Sequence, residues 1–498
     1  MLKQRYVFRE VFAPLANVFL SRLLEVTIGK LSDEVLLDIF RYYLDASPRS
    51  WPRLVQICRR WRRIVFASQQ ALRLRLFCTH RTPSRKSLDY WPASLPIVVE
   101  YGGSPGLDPP APEDEDNVIA ALKQSDRVGS ISLTVTSSLL EKLSAIEKPF
   151  PKLEHLIILS RDSPRLTLSS AFGWGTRLRI LHLTRIIFFA LPQLLYSSRE
   201  LIDLQLHEVL NHWLFSPEAL TDALSGMPQL QSLSLHFLPT TDHIGAILLS
   251  RKRVVLPALT HLNFRGIAEY LEDLVDGIDA PHLGDIGITF FDKYIPELPK
   301  LIEFIDRIKI HNSHRRADIL SSERVISISL LQPGAPTCHR LQLSSEPSTL
   351  QLSSITRICT RFSALLSNVE DLHFSTMLPS TWEDRLRSGG WLEPVNSFTG
   401  VKSFHVAGNL LIDIVRALQQ PDTPLKTAFP ALHKLYISQP WPHHVPLREA
   451  IVSFMVSRRL SGHSIRVEYE GLQHDSESRG AGTMNAQCHC HYSLISLE

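Results

Sequence analysis

The sequence predicts an α/β chain: a helical module near the N-terminus, then an irregular solenoid with one strand and one helix per repeat. Three observations predict it. Residues 31–66 hold two short amphipathic patterns at helical spacing. From residue 153 an L-x-x-L-x-L frame, tolerating Val, Ile and Phe, recurs along most of the chain. Amphipathic helical segments fall between successive copies of that frame.

In the first pattern Leu31, Val35, Leu36, Ile39, Phe40, Tyr43 and Leu44 recur in helical steps. Ser32 can cap this helix, and Asp33 and Glu34 put negative charge in its first turn, where the helix dipole favours it. The second pattern is Leu54, Ile57/Cys58, Trp61 and Val65, with Pro52 suited to a first turn. Below ~40 residues a core usually needs a metal, a disulfide or a partner. No ligand-spaced Cys/His set lies here, so a protein partner is expected to cover the apolar surface.

The extension 1–30 reads as an extra helix. Arg9, Glu10, Pro14, Arg22 and Glu25 break up Val7–Ile28, so it lacks the ~20 unbroken apolar residues of a membrane span. Residues 67–127 connect the module to the repeats. They carry a helix-like run, a strand over 95–100 and a turn-rich, then acidic stretch ending at a helix start near Asp114–Asp116.

The array is read over 128–470. Clear copies of its frame are Leu153/Leu156/Ile158, Leu178/Leu181/Leu183, Leu201/Leu204/Leu206, Leu230/Leu233/Leu235 and Leu259/Leu262/Phe264. Looser copies start at Leu283, Val325, Val369, Val401 and Leu432, and Val128 and Ile465 can open and close the series. Successive steps from 153 are 25, 23, 29, 29, 24, 42, 44, 32 and 31 residues, mostly near the leucine-rich-repeat period. Helices are expected at 137–147, 217–226, 267–278, 408–419 and 446–457. The two long steps imply insertions, one of which (330–343) reads as two short strands around a Pro-Gly turn. The polar tail 471–498 reads as disordered.

Composition narrows the function. A 44% hydrophobic, 21% charged chain of 498 residues is that of a folded protein, and a net charge of +3 names no electrostatic partner. Nine Lys/Arg and no acid fall between Arg59 and Lys86, which reads as a solvated helix face in preference to a nucleic-acid patch. Six unpatterned cysteines and the absence of any Asn-x-Ser/Thr sequon place the chain in the cytoplasm, the nucleus or both. No membrane partner is expected.

Catalytic motifs fail on inspection. Gly102–Gly106 satisfies G-x-S-x-G, but Pro105 lacks the N–H that an oxyanion needs beside Ser104. His207 and His212 are five apart, and on a helix they would diverge by about 140°. Cys488–His491 is contiguous, unlike the spaced pairs of structural zinc sites. Gly173-Trp174-Gly175 lacks the third glycine of a dinucleotide loop. The chain is therefore read as a non-enzyme with no cofactor and no metal.

Leu31-Ser32-Asp33-Glu34-Val35-Leu36 resembles the opening L-P-x-E-[VIL]-L of the F-box family. Leu54-Val55, Cys58-Arg59-Arg60-Trp61 and Arg62 resemble its closing L-x-x-[VI]-C-[RK]-x-W-R. Ser32 stands where the family has proline, which pre-sets a helix start. An F-box followed by divergent leucine-rich repeats resembles a large fungal class of F-box proteins. The repeats lack the family's polar ninth position, which here reads Arg161, Ile186, Val209, Leu238 and Ile267 in the clear copies.

The resemblance implies a substrate-recruiting adaptor: the F-box binds a Skp-type subunit and through it a cullin, and the repeats hold a target. The alternative is a scaffold whose F-box–Skp pair serves assembly or transport. Matching motif positions place Leu31, Ser32, Leu37, Ile39, Phe40, Leu54, Val55, Cys58 and Trp61 at the Skp-type interface. Strand alternation turns the residues between the frame leucines outward, onto the concave face of such an array. Among these, His236, His261, Asn263, Arg265, His373, His405, Lys434 and Tyr436 are the candidates for target binding. Histidines with ordinary pKa values would make that binding sensitive to pH between 7.5 and 6.

Overall fold

The computed structural model describes residues 31–79, 88–102, 112–161, 167–174, 177–209, 216–237, 253–291, 298–308, 315–321, 326–331, 340–345, 356, 359–376, 396–407, 429–438, 445–460 and 462–470. The chain divides into two compact units, Met1–Leu133 and Thr134–Glu498. Ser104, His212, Gly175, Cys488–His491, the helix expected at 408–419 and both terminal segments (1–30 and 471–498) lie outside the described residues.

In the first unit, α1 (Asp33–Ala46) buries Leu36, Phe40 and Leu44, one residue per turn along a single face. Ser32 caps it, its Oγ accepting the Val35 N–H at 3.4 Å. A 3-10 turn (Pro48–Ser50) leads into α2 (Trp51–Ile57), with Pro52 in its first turn. The single second helix expected through Val65 is corrected here. Cys58 is extended (φ −157°, ψ 170°), ends α2 and starts α3 (Arg59–Ala67), its Sγ accepting the Trp61 N–H at 3.5 Å. On one straight helix the pairs Leu54/Val55 and Ile64/Val65, ten residues apart, would point about 80° away from each other. With the break, all four are buried and Ile57 is left exposed.

Three parallel strands follow: β1 (Leu76–Thr79), β2 (Ile97–Tyr101) and β3 (Val128–Val135), with β2 in the middle. β1 is a strand within the stretch where the sequence reads a helix-like run. Helix α4 (Pro112–Leu122) makes the crossover from β2 to β3. Trp51 packs the helices onto this layer. Its Nε1 donates to the Arg75 carbonyl at 2.7 Å, and its ring meets Trp91 edge-on at 4.6 Å.

The second unit opens with α5 (Ser137–Ser144), capped by Thr136, and then alternates strands and helices. In order come β4 (His155–Ser160), β5 (Ile180–Thr184), α6 (Leu191–Ser197), β6 (Asp203–Val209), α7 (Pro217–Leu224) and β7 (Ser232–Phe237). Next are β8 (Val254–Val255), β9 (His261–Gly266), α8 (Ala268–Asp276), β10 (Ile278–Asp279), β11 (Asp285–Phe290) and α9 (Pro299–Arg307). β4, β5, β6, β7, β9 and β11 run parallel, and the short β8 and β10 pair separately. The leucine frame sets the register. Leu156, Leu181, Leu204, Leu233, Leu262 and Ile286 stand side by side across the strands, all buried. Ile158, Leu183, Leu206, Leu235, Phe264 and Ile288 form a second buried rank. Each such side chain contributes roughly 1.5–3 kcal/mol by leaving water.

Helix α9 has no side-chain cap of its own. Glu272, buried on α8, accepts the N–H groups of Lys300 (3.0 Å) and Leu301 (2.8 Å) in its place.

The frame fails at one point. β12 (Arg316–Ser321), β13 (Ile326–Leu331) and β14 (Arg340–Ser345) are antiparallel neighbours, so the copy read at Val325/Ile328/Leu330 is a returning strand and not a parallel repeat. The expected strand pair around 332–339 is β13 with β14. Chain order is reversed across this insert: β14 pairs with β11, and β12 pairs with β15 (Asp371–Thr376). Helix α10 (Ser363–Leu366) precedes β15, and β16 (Ser403–Ala407), β17 (Lys434–Ser438), α11 (Val445–Leu460) and β18 (Arg466–Glu470) complete the described elements. β15 to β18 are again parallel. No helix among the described residues is long and apolar enough to cross a membrane.

Candidate functional site

Among the described residues of the first unit, one helix keeps an apolar stripe exposed. On α1, beside the buried line of Leu36, Phe40 and Leu44, stand Val35 (45% exposed), Ile39 (47%), Tyr42 (78%) and Tyr43 (36%), spaced as successive turns of one stripe. Ile57 at the end of α2 is also exposed. The helices are held by polar contacts beneath this face. Arg60 of α3 donates to the Leu31 carbonyl (2.5 Å) and, through Nε (2.9 Å) and Nη2 (2.7 Å), to the Asp33 carboxylate. Arg62 Nε donates to the Val55 carbonyl at 3.0 Å, bridging the break between α2 and α3.

Residues 31–77 match the F-box-like family. No match was found among curated proteins. F-box domains generally bind Skp-type subunits, and the F-box-like domain here points to a role in Skp-type ubiquitin ligase complexes.

The domain sorts the expected interface residues. Ile39, Ser32 and Cys58 are exposed, while Leu31, Leu37 and Trp61 are half-buried. Phe40, Leu54 and Val55, also expected at that interface, are buried inside the domain and belong to its core. Phe40 meets the Trp61 ring at 4.7 Å, which ties α1 to α3. Val35, Tyr42, Tyr43 and Ile57 are exposed as well and were not among the expected residues, although the steps 35, 39, 42 and 43 are readable as a second stripe.

In the second unit the outward sheet positions form continuous rows across the strands. One row runs His182, Gln205, Ser234, Asn263 and Gly287, and the next runs Thr184, His207, His236, Arg265 and Thr289. His182 Nε2 lies 2.7 Å from Asp203 Oδ2, and His207 Nε2 lies 2.9 Å from Ser234 Oγ. The imidazoles of His207 and His236 stack at 4.0 Å, and the Arg265 guanidinium lies over the Phe291 ring at 5.5 Å. His261 Nδ1 is 2.8 Å from the Thr260 hydroxyl. Farther along, His373, His405 and Tyr436 stack in register at 3.8 and 4.2 Å, and Lys434 Nζ reaches the Tyr436 hydroxyl at 3.5 Å.

The fold thus gathers His236, His261, Asn263 and Arg265 in one cluster and His373, His405, Lys434 and Tyr436 in another. β14, β13 and β12 lie between them, so the eight residues do not make one site.

Burial, with His182 nearby, lowers the His207 pKa. Burial, His207 and Arg265 push His236 down to about 4, against the hydrogen bond it donates to Asn263 and the Glu208 charge. Burial works to raise the Asp203 carboxyl, but the bond and charge of His182, with bonds from Gln205 and Ser232, hold it below its usual range. His236 therefore stays neutral at pH 6, and the expected response between pH 7.5 and 6 is corrected for this residue. His207 and Glu208 lie on strand β6, not on a helix, and Glu208 (φ 52°) bulges out to pair with Arg185.

Proposed function

We propose that this chain is the substrate-recruiting subunit of a Skp–cullin–F-box ubiquitin ligase and carries out no bond chemistry itself. The observation that carries the reading is the α1 stripe of Val35, Ile39, Tyr42 and Tyr43, left exposed on an F-box-like domain. An amphipathic helix with a free second stripe suits helix-in-groove docking, with Ile39 and the two tyrosines as anchors. Leu31, Ser32, Leu37, Cys58 and Trp61 border that contact. The parallel strands of the second unit are read as units of an irregular leucine-rich-repeat array interrupted by the β12–β14 insert. Its outward polar clusters are read as the target-binding surface, with Arg265, Lys434 and Tyr436 as anchors.

Affinity purification of the tagged full chain under proteasome inhibition tests this. A Skp-type subunit and a cullin are expected together with a ubiquitylated target. Recovery of the Skp-type subunit with no cullin would favour the assembly or transport role instead. Recovery of neither rejects both.

A further inference from the structure

The start of α1 is where this F-box-like domain departs from the family pattern, and the fold answers the departure from a distance. Ser32 has φ −65° and ψ 161°, and that φ is the one a proline ring would impose. A serine does not impose it. What the serine supplies is a long, exposed cap bond of 3.4 Å to the Val35 N–H and a side-chain hydrogen bond to the exposed Glu34 carboxylate. The constraint comes from α3. One guanidinium, that of Arg60, holds the Leu31 carbonyl before Ser32 and the Asp33 carboxylate after it, so both flanks of the serine are tied to the same rigid group. Arg63 adds a weaker contact to Asp33 at 3.7 Å. The extended residue Cys58 makes this possible, because it frees the first turn of α3 from the axis of α2. Arg60 falls on the position that the closing motif leaves open.

We propose that Arg60 is a positioning residue for adaptor binding. Resting on the reading of α1 as the Skp-type docking face, it supplies from α3 the helix-start constraint that proline would supply from position 32. It thereby fixes the direction in which Val35, Ile39, Tyr42 and Tyr43 point. Arg suits the task because its planar fork reaches a carbonyl and a carboxylate together, which a lysine ammonium on one stem does less well.

The experiment is a titration of the full-length chain with a purified Skp-type subunit, using wild type, Arg60→Ala, Arg60→Lys, Ser32→Pro and the Ser32→Pro/Arg60→Ala pair. Hydrogen exchange at the Val35 and Leu36 amides is followed in the free protein. Arg60→Ala should weaken binding about tenfold and speed exchange in the first turn of α1. Arg60→Lys should fall in between, and Ser32→Pro alone should bind within about twofold of wild type. The double variant should recover most of the lost affinity and protection, which loss of a merely stabilising contact would not allow. Arg60→Ala binding like wild type, or a double variant no better than Arg60→Ala, overturns the proposal while leaving the adaptor reading intact. Failure of the wild type to bind overturns both. Should Arg60→Ala not fold, the Arg60→Lys variant with and without Ser32→Pro carries the same comparison.

Discussion

The F-box-like domain and the sheet of the second unit bury their apolar residues in opposite ways. The parallel strands from β4 to β11 send their frame residues to one side, rank beside rank, and Leu204 and Leu262 are both out of contact with water. The domain splits a single helix between two fates: Phe40 is 1% exposed and its chain neighbour Ile39 is 47% exposed. The three helices of the domain leave the second stripe of α1 exposed.

That contrast can be broken by substitution. The largest effect is expected from Trp51→Ala, which removes the biggest fully buried side chain, its bond to Arg75 and its contact with Trp91. A loss of about 3–5 kcal/mol should unfold the domain and abolish Skp-type binding, read by limited proteolysis of the first unit. Leu233→Ala should cost about 2–5 kcal/mol, seen as a lower melting temperature of the second unit with adaptor binding unchanged. If Leu233→Ala also abolishes adaptor binding, the two regions are not separable.

Smaller effects sharpen the comparison. Glu272→Ala strands the N–H groups of Lys300 and Leu301 at the buried start of α9, at about 1–3 kcal/mol, and exchange at those two amides should rise. His236 binds its proton later than the unfolded chain does, at about 4 against ~6.5. Between these values the unfolded state holds more protons, so stability rises with pH and is lost on acidification through that window. After solvent screening the loss is about 1–2 kcal/mol, and His236→Gln should flatten the melting profile between pH 6.5 and 4. Least of all, Ile39→Ala should change stability by under about 0.5 kcal/mol yet weaken adaptor capture severalfold, because its side chain already meets water. An Ile39→Ala protein that melts several degrees lower would place Ile39 in the core.

Much of this was readable from residue spacing, and the failures share a cause. Leu204, Leu233 and Leu262 announced their strands because a period repeated often enough picks out one face. In α1, Ile39 and Phe40 are both apolar and adjacent, and only the position of Trp61 decides which turns inward. Val325, Ile328 and Leu330 fit the frame because alternation is the same in parallel and antiparallel strands; direction is set by pairing with β12 and β14. The low proton affinity of His236 arises from burial against His207 and Arg265, residues brought beside it by the register of three strands. Arg60 was silent because its partners, Leu31 and Asp33, are nearly thirty residues away.

The reversed order of β12, β13 and β14 has a consequence for the chain as it leaves the ribosome. Each of β4 to β9 gains its next neighbour from the following major strand, but β11 must wait for β14, which begins at Arg340. Some 50 residues of translation separate the end of β11 from its partner. At ~5–20 residues per second the nascent sheet offers a bare edge for about 3–10 s. Its backbone N–H and C=O groups are then open to any passing strand. A ribosome arrested after β11 has left its exit tunnel and before β14 has done so would hold the chain in that vulnerable form.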